Sequence, residues 1–124
     1  MRIEPIQNQQ TFKYKHKLKT DFKKGKLPIK FDIAGNVLTK ENASLDHVIP
    51  KSLGGTNTLD NYMLATKKFN SRRGTLPLAL LITKDMFVTW AKQFKELMVC
   101  GVKGEEYTKM IEEKIWGKDL DAMV

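Results

Sequence analysis

Residues 44–55, SLDHVIPKSLGG, place a carboxylate and an imidazole side by side inside a short apolar run of Leu45, Val48 and Ile49. A plain strand would put aliphatic residues there. Pro50 cannot continue a sheet ladder, and Gly54–Gly55 turns the chain away, so the run must end close to the Asp46–His47 pair. Successive strand residues point to opposite faces, so these two side chains can share one site only if the strand ends or distorts there.

The rest of the chain limits what surrounds that pair. At 124 residues it is long enough for one domain and one core. No apolar run approaches the roughly 20 residues of a membrane span. The opening residues, MRIEPIQNQQ, lack the apolar stretch of a secretory signal, which makes the cytoplasm the expected location. A single cysteine, Cys100, excludes an internal disulfide and a zinc knuckle built on cysteine pairs.

Charge says more. The formal net charge is +8, unevenly spread: residues 1–104 carry 19 Lys and Arg against 8 Asp and Glu, whereas residues 105–124 carry 3 against 6. A basic body with an acidic tail suits a polyanionic partner such as nucleic acid or a membrane surface.

Residues 12–19, FKYKHKLK, alternate, with Lys13, Lys15, Lys17 and Lys19 on one parity. The period of two predicts a strand with a lysine face, either a solvated edge or an arm that tracks phosphates. Gly35–Asn36, between LPIKFDI and VL, predicts a two-residue hairpin. LDHVI and NYMLAT read as strands; Thr66 can cap a short helix from Lys67, with Gly74 at its end. TLPLALLI is an apolar connector or buried extended segment. Residues 84–98 carry Met86, Phe87, Trp90, Ala91, Phe94, Leu97 and Met98 on one helical face, and a last helix spans about 105–116. The expected fold is α+β, with strands near the N-terminus and a helical region over 84–124.

Two strands, a glycine loop and a helix bring Asp46–His47, Asn61 and Asn70 into one neighbourhood. Carboxylate and amide oxygens suit a hard divalent cation such as Mg²⁺. A neutral imidazole can take a proton from water near neutral pH. Lys51, Lys67, Lys68, Arg72 and Arg73 add positive charge. These are the parts needed to hydrolyse a phosphodiester.

The stretch LDHVIPKSLGGTNTLDNYMLATKKFNSRRG, residues 45–74, resembles the HNH endonuclease motif of the ββα-metal (His-Me finger) nucleases. It has Asp-His, two apolar residues and Pro, then a Gly-Gly loop, a central Asn, and a closing Asn before Arg-Gly. The resemblance covers about a quarter of the chain. It implies His47 as the general base, Asp46 as a metal ligand, and Asn70 as the second ligand. Asn61 would tie the loop and help orient His47. It also implies Mg²⁺, or Mn²⁺, as cofactor, DNA as substrate, and products with 5′-phosphate and 3′-hydroxyl ends.

Lacking cysteine knuckles, the chain is more similar to zinc-free members such as the HNH domain of RNA-guided CRISPR effector nucleases. Ser44 stands where an acidic residue often precedes the histidine by two, and Asn70 replaces the last His of the strict motif. Small free-standing members occur in phages and mobile elements, and a phage or mobile-element enzyme is the expected setting. A catalytically weak DNA-binding or packaging-associated module on the same fold is the alternative. No base-reading element stands out, so targeting would come from a partner protein or be absent. Cutting both strands would need a homodimer or two successive nicks, and Trp90, Phe94 and Trp116 are candidates for a dimer face if exposed.

Overall fold

The structure, a computed structural model, describes residues 17–117. Helix α1 covers residues 17–23, followed by a turn with an antiparallel bridge between Phe31 and Val37. Strands β1 (Ala43–His47) and β2 (Tyr62–Thr66) pair antiparallel across a long loop that holds two short 3₁₀ turns. Helix α2 (Lys67–Arg73) follows β2 without a linker. A 3₁₀ turn at Leu78–Leu80 leads to α3 (Lys84–Lys92), a small hairpin of β3 (Met98–Val99) and β4 (Val102–Lys103), and α4 (Gly104–Trp116). The molecule is therefore mixed α and β, with two small antiparallel sheets.

Every residue of β2 is buried. A strand covered on both faces needs no hydrophobic–polar alternation, which is why YMLAT reads as continuously apolar up to its final threonine. The core around it takes Leu18 and Phe22 from α1, Trp90 from α3, Phe94 just beyond it, and Tyr107 and Ile111 from α4. Trp90 and Phe94 stack edge to face at 4.8 Å, and Tyr107 donates its hydroxyl to the Tyr62 carbonyl at 2.6 Å. That bond fixes α4 to the first residue of β2.

Helix α2 has seven residues, too short to hold itself in water. Thr66 caps it by accepting from the Phe69 amide at 3.1 Å, worth about 1 kcal/mol. Asp32 braces the same corner from outside. Fully buried, it accepts from the backbone amides of Ala34, Asn36 and Thr66 at 3.1, 2.8 and 3.0 Å. One carboxylate thus clamps the 31–37 turn to the junction of β2 and α2.

Several expectations are corrected. Residues 17–19 are helical, so Lys17 and Lys19 do not share a strand face; Lys13 and Lys15 lie outside the described residues. The reason is that Leu18 and Phe22, four apart, reach the core together, and Lys17 pairs with Asp21 at 3.6 Å on the outer side. This part of the expected N-terminal basic arm is a docked helix.

The Gly35 turn forms, with Gly35 at φ +88°, but supports a single bridge rather than two paired strands. The helix expected over 84–98 stops at Lys92. Its next residue, Gln93, uses its side-chain amide to accept from Lys30 and Phe31 and to donate to the Phe31 carbonyl, and the chain then turns into the β3–β4 hairpin. The region after residue 84 is therefore not wholly helical.

Cys100 sits in the turn of that hairpin, at φ +52°, and burial pushes its thiol up to about 11. Trp90 and Phe94 are about 1 % exposed and cannot form a dimer face. No helix among the described residues is long and apolar enough to cross a membrane.

Replacing Asp32 by Ala strands the buried Thr66 amide and loosens the α2 cap. We expect a loss of about 2–3 kcal/mol, read as a lower urea midpoint with an unchanged slope.

Candidate functional site

Asn61, at the end of the loop, is fully buried. Its Oδ1 accepts from the Ile49 amide at 2.8 Å, and its Nδ2 donates to the Ile49 and Thr56 carbonyls at 3.0 and 2.9 Å. One side chain therefore does the work of a strand partner for a segment that has none. Gly55 belongs to the same construction: a Cβ there would lie 1.7 Å from the Ile49 carbonyl oxygen and 2.9 Å from Asn61 Nδ2. No side chain fits at that position.

The loop held in this way delivers Asn57 to His47. His47 Nε2 lies 2.9 Å from Asn57 Oδ1, and the imidazole meets the Tyr62 ring edge-on at 5.0 Å. An amide oxygen can only accept, so this contact puts the ring proton on Nε2 and leaves the lone pair on Nδ1. His47 is partly exposed, so Nδ1 belongs to a ring that solvent can reach. Tyr62 is buried; its Oη finds no partner among the described residues, and burial raises its pKa.

Asp46 faces the other way. Pairing stays regular through Asp46↔Met63 and His47↔Tyr62, so no distortion brings the two side chains together. Ser44 and Asp46 point toward α2, where Asn70 Nδ2 donates to Ser44 Oγ at 3.2 Å and to the Leu45 carbonyl at 3.3 Å. Asn70 Oδ1 receives no hydrogen bond from the described residues.

The Asp46 carboxylate is taken by Arg73, whose Nη1 lies 3.1 Å from each oxygen. Arg73 also donates to the carbonyls of His47, Val48 and Leu76. Burial pushes the Asp46 carboxyl above its ordinary range, and the Arg73 guanidinium offsets part of that rise.

These contacts correct two expectations. Arg73 is 2 % exposed with its guanidinium committed to internal partners, so it is not a phosphate contact. Its i, i+3 relation to Asn70 turns it inward, against β1, because Asp46 offers a buried anion there. Asp46, in turn, is not open to a metal. A guanidinium sits on both oxygens, and the carboxylate, 4 % exposed, has no room for the water and phosphate ligands that Mg²⁺ keeps.

The oxygens of Asp46 and Asn70 are hard donors of the right kind, yet as arranged they do not fit a divalent cation. No group of three or more His, Cys, Asp or Glu suited to a metal occurs among the described residues. Lys51, Lys67, Lys68 and Arg72 are exposed. Neither Asn57 nor Asp32 stands out in the sequence. Asn57 lies in a run of turn-forming residues with no spacing signal, and Asp32 announces itself only as a turn residue.

No family model matches the chain, and no curated protein or solved structure matches it either.

Two outcomes test this geometry. Arg73→Met leaves Asp46 buried without its cation and should cost about 3–5 kcal/mol in urea unfolding, with part recovered when Asp46→Asn is added. Nitrogen-15 shifts of the neutral His47 ring should show a proton on Nε2 and none on Nδ1. In Asn57→Ala that preference should weaken to a mixture of tautomers.

Proposed function

We propose that the chain is a DNA endonuclease of the HNH, or ββα-metal, type that hydrolyses phosphodiester bonds. What carries the reading is His47: an imidazole at the end of a strand, its tautomer set by Asn57, on a strand–loop–strand–helix unit framed by Asn61. Exposed Lys51, Lys67, Lys68 and Arg72 on or beside that unit supply the charge that holds a phosphate backbone.

Nδ1 of His47 takes a proton from water, and the resulting hydroxide attacks phosphorus. The bond from phosphorus to the 3′ oxygen breaks. That oxygen takes a proton from solvent water to become the 3′-hydroxyl, and the other fragment keeps a 5′-phosphate. Asp46 and Asn70 Oδ1 are the groups that would hold the Mg²⁺ or Mn²⁺ implied by the HNH resemblance, an ion that would supply positive charge at the phosphate. As arranged, the Asp46 carboxylate is committed to Arg73. A phage or mobile-element setting rests on the resemblance alone.

One observation favours a second reading, a DNA-binding or packaging-associated module without turnover: the Asp46 carboxylate is neutralised by Arg73. Supercoiled plasmid incubated with Mg²⁺, Mn²⁺ or EDTA separates the two. The nuclease reading expects metal-dependent nicking at least about 100-fold weaker in His47→Ala, the scale of a lost general base. Plasmid that is bound yet intact with every metal would decide for the binding module. The ratio of nicked to linear product reports whether one or two sites act together.

A further inference from the structure

Asn70 occupies one side of α2. Lys68 and Arg72 lie on the opposite flank, since residues two apart on a helix are about 200° apart around its axis, and Phe69 lies beside Arg72, about 60° from it. That flank forms one wall of an open groove of about 610 Å³, and the turn carrying Asn36 and Val37 forms the other. Asp32 joins the two walls, because it binds the Thr66 amide on one side and the Asn36 amide on the other. The groove is therefore built into the fold rather than opened by a ligand.

Its chemistry is specific. Lys68 and Arg72 are exposed, and neither meets a carboxylate among the described residues. No acidic side chain lines the groove. Val37 is 70 % exposed, and the half-buried Phe69 lines the same groove. The Asn36 amide nitrogen is spent on Asp32 at 3.3 Å, while its Oδ1 receives no donor from the described residues.

We propose that this groove binds a single-stranded segment of nucleic acid. Phosphates lie against Lys68 and Arg72, and an unstacked base rests on Phe69 and Val37 with a ring or exocyclic N–H (N3–H in thymine) toward Asn36 Oδ1. A cationic track beside an aromatic platform is the arrangement that holds single strands without reading sequence. A duplex keeps its base faces covered by their neighbours and would leave the apolar part of the groove unused. The groove lies across one helix diameter, about 10 Å, from the Asn70 side. It would hold strand that flanks the candidate active site.

The proposal rests on nucleic acid being the partner and not on turnover, so it is tested in EDTA. Fluorescence anisotropy follows a labelled (dT)₈ oligonucleotide across a salt series. The double variant Lys68→Glu/Arg72→Glu should bind at least about tenfold more weakly. The slope of log affinity against log salt should fall by about 1.4, the value for two phosphate contacts to a single strand. Phe69→Leu keeps the core filled but removes the ring, and should weaken binding about threefold. The control Lys95→Glu/Lys109→Glu, reversing two exposed lysines elsewhere, should stay within about twofold.

Equal losses in the control and the groove variant would overturn the proposal, because binding would then follow net charge alone. So would a duplex of equal length binding as tightly as (dT)₈, or anionic vesicles displacing the oligonucleotide at the groove. A protein that cuts plasmid yet binds (dT)₈ unchanged after the reversal loses the groove and keeps the nuclease reading. A protein that binds neither oligonucleotide nor plasmid loses both.

Discussion

The described site depends on one buried cation. Arg73, at the end of α2, holds the Asp46 carboxylate from β1, the His47 and Val48 carbonyls where that strand ends, and the Leu76 carbonyl beyond the helix. Burying a guanidinium costs several kcal/mol, and only a full set of acceptors offsets it. Once satisfied, the group fixes the direction in which the chain leaves β1 and where α2 stops. His47 inherits its backbone position from that arrangement, although its side chain points to the opposite face. The histidine's surroundings are thus set by a residue that does not touch the imidazole.

The same cation sets up a conflict at the centre of the functional reading. Asp46 can answer an internal positive charge or an external one, and it has a single carboxylate. With Arg73 in place, β1, the loop and α2 are one unit. With a divalent ion in place, Arg73 would be a buried charge without its anion, which is among the costlier defects a core can carry. A metal at Asp46 would therefore act against the stability of the strand–helix corner.

Much of the arrangement could be read from local chemistry. Thr66 and Gly74 bracket α2 as a cap and a terminating glycine do, because both signals act within a turn of the residues they control. Asn61 as a loop tie was implied only by the motif resemblance, since its Ile49 partner lies twelve residues away. What could not be read rests on contacts remote in sequence. The lysine alternation at 12–19 suggests a strand, but burial of Leu18 with Phe22 outweighs a surface pattern in the residues described. The apolar stripe after residue 84 looks like one long helix, and only the distant backbone of Lys30 and Phe31 explains why Gln93 ends it. Arg73 looked like one more surface cation, since nothing local to its helix distinguishes a buried arginine from an exposed one. Asp46 and His47 stayed on opposite faces because β1 kept its register to the last pair.

The first half of the loop between the two strands is held through its main chain. Asn61 bonds only backbone atoms of Ile49 and Thr56, and Gly55 meets a carbonyl. The side chains of Lys51, Ser52 and Leu53 take no part and project into solvent. Their identities can drift without disturbing the frame, much as a tool head is exchanged on a fixed mount. Evolution, or an engineer, could install new contacts to a target at those three positions while the histidine stays where it is.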